Sequence, residues 1–335
     1  MTSKTRRRSP PRKNNRKIIL ALLLALALAL TGCSRQYYGG ITERTDGVDS
    51  AYTQDILPES HNSAYGQQIG ATLYFRYLSE DLLAGVEQQF TVTAENTLEQ
   101  LVVQALIDGL QDTPYQYNAL INPDTRLVSI KEQSGYLSIT LSSEFLDRMG
   151  QDIDQEATRR RLGVLSIVNA VTAIGNYSRV LILIDENNTG NGERLTYAEA
   201  GWEELGDRTI EPMERDTSVI LSPENVIDIV MSAIVEKDYE RLEYYLAAVD
   251  YDGATRPTST GVADALAGKA SIVGYSLDGP ATVSGDGERA VAMLSITYID
   301  AGGHTAQLTA LPIRMLHEDV WKVSFQALDA MFPEY

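Results

Sequence analysis

Cysteine is nearly absent from this sequence, whose 335 residues contain only Cys33, together with three histidines. A single thiol cannot form an intramolecular disulfide or a four-cysteine zinc site. The sequence also lacks the Gly-x-Ser-x-Gly, His-Glu-x-x-His, phosphate-loop and dinucleotide-binding signatures. Its acidic residues are dispersed, and no spacing indicates two carboxylates that would share a proton. We therefore predict no enzymatic activity, no cofactor and no metal site.

A membrane-spanning hydrophobic run is missing near the amino terminus. The apolar segment there extends from Ile18 to Leu30, and its 13 residues are too few to cross a hydrocarbon core about 30 Å thick. It follows eight basic residues and no acidic one, namely Lys4, Arg6, Arg7, Arg8, Arg12, Lys13, Arg16 and Lys17. This order is typical of a secretory signal peptide that is removed, here residues 1–32.

The tetrapeptide Leu30-Thr31-Gly32-Cys33 resembles the lipobox of bacterial lipoproteins. The resemblance implies cleavage after Gly32 and a diacylglyceryl group, carrying palmitate-type chains, on the Cys33 sulfur. Each buried CH₂ group contributes about 0.8 kcal/mol, so that two or three acyl chains anchor a protein durably. The protein would then face outward from the cell membrane. The alternative is a soluble secreted protein in which Cys33 has no such role.

Basic residues are scarce once the signal peptide is removed. The remaining chain has 20 Lys and Arg against 46 Asp and Glu, a net charge of −26. Such a charge argues against nucleic acid as a partner and against a domain that lies flat on anionic lipid. Residues 33–69 are rich in Ser, Thr, Gly, Asp and Gln, and we expect them to form a flexible tether.

Residues 70–186 have the pattern of an α+β domain in which two helices pack on one small sheet. Thr97 and Gln100 have the spacing of a capping box at the start of the first helix. A first strand is expected to begin at Thr72. Four more strands are expected over Gln88–Thr93, Leu127–Glu132, Tyr136–Leu141 and Val180–Ile184, and the second helix is expected over Gln155–Ile174.

Within this segment, residues 72–185 resemble the GerM-type sporulation and germination domain. The resemblance rests on Leu73-Tyr74-Phe75, Ala105-Leu106-Ile107-Asp108-Gly109, Asn122-Pro123-Asp124-Thr125, Leu141-Ser142-Ser143-Glu144-Phe145 and Ile167-Val168-Asn169-Ala170-Val171. It implies a fold similar to the ring-building modules of secretion and sporulation channels, and protein–protein assembly at the cell envelope. The family's namesake has two such domains in tandem, whereas this sequence has one.

Residues 187–217 lose all periodicity, and we expect a linker. Residues 218–335 then show a helix start at Ser222-Pro223, helices, and an antiparallel series of strands: Ala270–Leu277, Ala281–Ser284, Ala290–Asp300, His304–Leu316 and Val320–Leu328. This order is similar to that of NTF2-like domains, in which a curved sheet wraps helices into a cone with an internal pocket. Candidate pocket residues are Tyr275, Tyr298, His317, Trp321 and Phe325, for which the alternative is ordinary core packing or, for His317, a plain hairpin position.

The sequence Asp185-Glu186-Asn187-Asn188-Thr189-Gly190 imitates the opening of a calcium-binding loop. Position 12 of such a loop would be Thr196, where an EF-hand requires a bidentate glutamate. We therefore expect an acidic, solvated turn.

Together these features predict a membrane-anchored scaffold or accessory protein of a cell-envelope complex, with sporulation or germination as its setting. The expected partners are the membrane, through the lipid, and envelope or sporulation proteins. An alternative is a regulatory lipoprotein that binds a small molecule or peptide in the second domain. A hydrolase acting on wall material would need converging carboxylates, for which the sequence offers no motif.

Overall fold

The first sheet is built on β1, Gln67–Tyr77, in a computed structural model that describes residues 66–110, 114–133, 135–300 and 302–332. β1 pairs antiparallel with β2, Leu83–Val92, along its length and with β3, Tyr117–Asn118, at its end. The alternating apolar residues of β1, Leu73, Phe75 and Tyr77, are buried as predicted. Both long strands begin earlier than predicted, because residues 67–71 of β1 and 83–87 of β2 also take part in the ladder.

The second sheet is centred on β6, Arg179–Asp185, which contains the expected aliphatic strand Val180–Ile184. β6 pairs in parallel with β5, Tyr136–Ser142, which forms the predicted hairpin with β4, Leu127–Gln133. Its other edge is covered by two short strands, β7, Glu193–Arg194, and β8, Met213–Glu214.

Two helices pack against these sheets. The first, α1, Leu98–Asp108, begins with the predicted capping box of Thr97 and Gln100. The second, α2, Ile153–Ala173, contacts both β1 and β6, and its residues 162–171 are all buried. The prediction of one small sheet was therefore wrong: the domain has two sheets, and α2 packs against both.

The predicted linker at residues 187–217 is also wrong, since this segment belongs to the first domain. It contributes β7 and β8 to the second sheet, and it buries Leu195, Ala200 and Ile210. Gly201 lies so close to α2 that a Cβ atom there would stand 2.0 Å from the carbonyl oxygen of Ala157. The segment follows the surface of the domain closely, although its sequence has no regular period.

The predicted second domain, which lies in the same compact unit as the first, begins with α3, Pro223–Glu236. This helix has Ser222 as its N-cap and Pro223 at its start, as predicted. Two shorter helices follow, α4, Tyr239–Tyr244, and α5, Ser259–Leu266. α5 begins inside the segment 253–261, which is rich in Gly, Pro and Thr. Thr258 nevertheless caps this helix through the amide of Gly261.

A five-stranded antiparallel sheet completes this domain. Its strands are β9, Ser271–Leu277; β10, Thr282–Val283; β11, Arg289–Ile299; β12, Thr305–His317; and β13, Trp321–Val323. β11 pairs with β9, β10 and β12, and β13 pairs with the end of β12. The mixed α+β class is confirmed, whereas the NTF2-like cone stays a prediction.

The last predicted strand, Val320–Leu328, is only partly correct. The strand ends at Val323, and α6, Phe325–Met331, follows it. Ser324 is the N-cap of α6, because its side chain accepts a hydrogen bond from the amide of Ala327. Along the described residues, no helix combines the length and the apolarity needed to cross a bilayer.

Gly201→Ala should test whether residues 187–217 are a packed part of the first domain. Gly201 and Gly206 both have positive φ, but only Gly201 faces backbone atoms at its Cβ position. Gly206→Ala is the matched control and should cost about 1–2 kcal/mol, because a Cβ atom disfavours its positive φ. Gly201→Ala should lower the free energy of unfolding by about 3 kcal/mol, because overpacking adds to the same conformational cost. Equal, small effects in urea denaturation would mean that the segment is a free linker.

Candidate functional site

A group of polar and aromatic side chains joins the two domains; we call Tyr77, Tyr117, Tyr245, Asp319 and Lys322 the junction cluster. All of them are buried except Asp319, which is partly exposed. The Tyr77 hydroxyl donates to Oδ2 of Asp319 over 2.8 Å, and Lys322 Nζ donates to that hydroxyl over 2.8 Å. Lys322 Nζ also lies 3.1 Å from Oδ1 of Asp319 and donates to the carbonyl oxygen of Tyr244 over 2.6 Å. The cluster thus connects the end of β1 with β13 and α4.

Aromatic rings enclose the ammonium group of Lys322, whose side chain is only 5% exposed. Its Nζ atom lies 5.3 Å from the ring centroid of Tyr77 and 5.9 Å from that of Tyr245. The ring of Tyr117 meets that of Tyr77 edge-on, with centroids 5.4 Å apart. A cation in this position is stabilised by the ring faces as well as by the carboxylate. All of these partners of the Lys322 ammonium group belong to the protein itself. The cluster therefore has a structural role.

The pKa directions within the cluster follow from its burial. Burial alone would raise the pKa of Asp319, but the charge of Lys322 and the hydrogen bonds from Tyr77 and Lys322 hold it below its ordinary value. Burial lowers the pKa of Lys322, and the neighbouring Asp319 opposes this effect. Burial raises the pKa of Tyr77 far above its usual range and that of Tyr117 to about 12. Both tyrosines are therefore neutral donors at physiological pH.

A second polar contact links the domains beside the cluster. Arg241 on α4 donates to both carboxylate oxygens of Glu80, from Nε over 2.8 Å and from Nη2 over 2.7 Å. Glu80 belongs to the turn between β1 and β2. This bidentate geometry fixes orientation as well as distance. The backbone adds a third link, since the amide of Leu221 donates to the carbonyl of Leu83 over 2.9 Å.

An open cleft of about 750 Å³ lies over this junction. The rings of Tyr115 and Tyr244, one from each domain, meet edge-on at its mouth with centroids 6.2 Å apart, and Tyr115 is 70% exposed. The lining is mostly polar and consists of Leu78, Ser79, Glu80, Tyr115, Asp238, Glu240, Arg241, Glu243, Tyr244, Arg256 and Ser259. The cleft offers a partner both exposed aromatic surface and carboxylates.

Several charged groups of the cleft are already engaged by the protein. Arg256 donates to the carbonyl oxygens of Glu243 and Leu246, and the carboxylate of Glu243 accepts from the amide of Ser259. Asp238 caps α4 by accepting from the amide of Arg241. Groups held in this way can bind and orient a partner, but they are not arranged as a nucleophile beside a general base.

The candidate pocket residues of the second domain occupy several elements. His317 and Trp321 lie opposite each other on β12 and β13, with ring centroids 4.8 Å apart. Tyr275 donates to the carbonyl of Asp228 on α3, Tyr298 is paired with Ala306 of β12, and Phe325 begins α6. A cavity of about 470 Å³ beside α6 is lined by other residues, among them Tyr251, Leu311, Pro312, Ala327 and Met331. A pocket formed by the five predicted residues stays a prediction.

Other sequence candidates can be placed only in part. Cys33 and the preceding Leu30, Thr31 and Gly32 lie outside the described residues. Within the part of the chain that the structure describes, no group of three or more His, Cys, Asp or Glu is placed to hold a metal ion. In the loop that imitates a calcium site, Asp185 accepts hydrogen bonds from the amides of Thr189 and Gly190, which lower its pKa. The loop's own amides thus satisfy this carboxylate.

The junction cluster and the cleft were not predicted from the sequence. Lys322 was placed only in the expected strand Val320–Leu328, and Tyr77 and Asp319 were given no role. The one available signal was a lysine within the apolar strand Val320-Trp321-Lys322-Val323, because lysine is almost never buried unless it has a partner. That signal could not identify the partner.

Asp319→Asn should destabilise the protein by about 3 kcal/mol, because it leaves the buried ammonium of Lys322 without its counter-charge. This loss of unfolding free energy is at the low end of the range for a broken buried ion pair, because the side chain of Asp319 is 36% exposed. Lys322→Met provides the matched control, because it removes the charge that needs a partner. Urea denaturation of the double variant should show less destabilisation than Asp319→Asn alone. Additive losses would mean that the two charges do not interact.

The same pair predicts a dependence on pH. The pKa of Asp319 is depressed in the folded state, so its contribution to stability is present above its unfolded pKa of about 3.9 and is lost as the pH falls through the folded value. The difference in unfolding free energy between wild type and Asp319→Asn should therefore be constant above about pH 5 and shrink below about pH 4. A difference that persists unchanged in acid would contradict this assignment.

Comparisons with known proteins show what the first domain is similar to. A family model described as Germane, sporulation and spore germination, matches residues 72–189. Three solved structures are similar to parts of the chain. A candidate lipoprotein from Clostridium perfringens is 23% identical, with 45% of this chain and 89% of that chain covered and a TM-score of 0.27. No curated protein matches the chain.

The other two structures come from the sporulation protein GerM of Bacillus subtilis. Its tandem GerMN domains are 17% identical, with 46% of this chain and 48% of that chain covered and a TM-score of 0.31. Its first GerMN domain is 15% identical, with 44% and 98% covered and a TM-score of 0.30. This chain thus spans about half of the tandem. The segment 72–189 matches the Germane domain model of sporulation and spore germination, and the rest of the chain lies outside this match.

Proposed function

We propose that this protein is a lipid-anchored, non-enzymatic scaffold of a sporulation or germination complex at the outer face of the cell membrane. The observation that carries the proposal is the junction between the domains. Lys322 of the second domain is held by Tyr77 of the first, and Arg241 is held by Glu80. A scaffold must present its binding surfaces in a fixed relation, and these contacts provide one.

The support for a lipid anchor lies in the amino-terminal sequence. The basic segment, the short apolar run and the lipobox-like Leu30-Thr31-Gly32-Cys33 stand in the order that export and acylation require. Residues 34–65 then separate Cys33 from the first described residue, Gly66. The tether predicted over residues 33–69 lies outside the described residues as far as residue 65, and its last three residues belong to β1.

The cleft supports a role in binding protein partners. It combines exposed Tyr115 with carboxylates, and the mature chain is strongly acidic, so a partner with a basic surface would be attracted. Tyrosines exposed at such a site are frequent anchors of interfaces.

Cross-linking in sporulating cells should test the scaffold. Mild cross-linking and affinity purification should recover one or a few stable envelope proteins with the wild-type chain. Tyr115→Ala should reduce their yield by about tenfold or more, as expected when an aromatic anchor is removed. Val273→Ala, at another exposed position that is not part of the cleft lining, is the control and should leave the yield unchanged. No partner from either sporulating or growing cells would contradict the scaffold function.

The anchor requires a separate measurement. Mass spectrometry of the protein from membranes should find an amino-terminal Cys33 that carries a diacylglyceryl group, and Cys33→Ala should leave residues 1–32 attached. An unmodified Cys33 behind an intact amino terminus would contradict the anchor and the envelope location with it.

The cavity beside α6 favours a second candidate function, uptake of a small apolar molecule or peptide by the second domain. Leu311, Pro312, Ala327 and Met331 give it apolar walls, and Arg314 and Ser324 provide polar groups. Native mass spectrometry of the purified protein separates the two functions. A stoichiometric ligand that is lost in Ala327→Leu would favour uptake, whereas an empty protein that retains its partners would favour the scaffold.

A further inference from the structure

We propose that the free edge of β12, residues 305–309, pairs with the same edge of a second copy of this chain. β12 pairs with β11 on one side from Thr305 to Leu316. On its other side it pairs with β13, but only from Met315 to His317. Within the described residues, no strand covers the free side of residues 305–309.

Residues 305–309 of this edge have no charged side chain and no proline, two of the usual protections against pairing. Natural proteins block exposed edges with charged side chains, proline, bulges or a covering helix. From Thr305 to Ile313 the sequence has no Lys, Arg, Asp or Glu, in a chain with 74 such residues. Two copies can therefore bring these edges together without like charges meeting, although each copy is strongly acidic. The missing charge favours a second copy of this chain over a charged partner.

A bulge sets the length of the available edge. The register with β11 shifts between Leu294 and Ile296, and Ala310 on β12 has a φ of +56°. The Ala310 amide donates to Oδ2 of Asp278 over 3.1 Å, so it is not available to another chain. Pro312 lies two residues further on and has no amide hydrogen. The register with β11 is regular from Thr305 to Leu308, and Thr309 stands next to it at the start of the bulge, so a second strand can pair from Thr305 to about Thr309.

The five residues of this edge match a two-fold axis through Gln307. Ala306 and Leu308 are half-buried on the inner face, whereas Thr305, Gln307 and Thr309 are exposed. Directly opposed residues of an antiparallel pair share a face, so the axis must pass through a residue and not between two residues. With the axis at Gln307 the whole edge pairs: Thr305 faces Thr309, Ala306 faces Leu308, and Gln307 faces its own copy. Opposed threonines are a favourable cross-strand pair.

The pairing would join two five-stranded sheets into one continuous sheet. Five opposed residues bury much less than the ~1,000 Å² of a specific stable interface. The dimer should therefore be weak in solution, and its detection requires a covalent trap. Confinement to a membrane, which rests on the proposed anchor, would raise the effective concentration of the copies. The proposed pairing itself does not depend on the anchor or on the scaffold function.

The test uses the chain from residue 33 with Cys33→Ser and Gln307→Cys, so that its only thiol lies on the proposed axis. Opposed residues have Cα atoms about 4.5–5.5 Å apart, within the range that a disulfide spans. Under mild oxidation, non-reducing gels should show a covalent dimer as the main product. The matched control is Val291→Cys in the same background, because Val291 is 40% exposed but lies on β11 between other strands. It should stay monomeric.

Charge swaps test the register without disturbing the core, since Thr305 and Thr309 are both exposed. In the Gln307→Cys background, Thr305→Glu with Thr309→Glu places like charges opposite each other twice and should lower the rate of dimer formation by about tenfold. Thr305→Glu with Thr309→Lys places opposite charges there and should restore the rate. Equal cross-linking of Gln307→Cys and Val291→Cys, or a rate insensitive to these swaps, would overturn the proposal. Cross-links to another protein alone would overturn it as well.

Discussion

One buried ammonium group determines how the two domains are held together. Lys322 Nζ is surrounded by the carboxylate of Asp319, the hydroxyl of Tyr77 and the carbonyl of Tyr244. A buried charge is tolerated only where its partners replace the water that it has lost. Tyr77 belongs to the first domain and the other partners belong to the second. Separation of the domains would therefore leave the ammonium group without the Tyr77 hydroxyl. The cost of burying this charge therefore couples the domains to each other.

This coupling gives the cleft its shape and the proposed scaffold its rigidity. Tyr115 and Tyr244 face each other across the mouth of the cleft only while the relative orientation of the domains is fixed. The bidentate pair of Glu80 and Arg241 also helps to fix this orientation. All described residues belong to a single compact unit that spans residues 60–335. A partner bound at the cleft would contact both domains at once. Its affinity would include no cost for ordering one domain relative to the other.

Local signals predicted much of the fold. The capping box at Thr97, the Ser222-Pro223 helix start and the aliphatic strand at residues 180–184 each depend on neighbouring residues, and each was correct. The failures have a different cause. β7 and β8 have two residues each, too few for a period, and α6 begins at a serine inside an apparently continuous strand. The junction was beyond prediction because Tyr77 and Lys322 are 245 positions apart. Lys322 has an apolar neighbour on each side, which gave no indication of a tyrosine from another domain.

The most direct test of the account is whether the two domains unfold together. Differential scanning calorimetry of the chain from residue 33, with Cys33→Ser, should give one transition whose calorimetric and van't Hoff enthalpies agree. Hydrogen exchange in β1 and in β13 should then report the same opening free energy, since the junction cluster is lost only on global unfolding. Two separate transitions, with β13 opening while β1 stays protected, would contradict the claim that the buried lysine joins the domains into one unit.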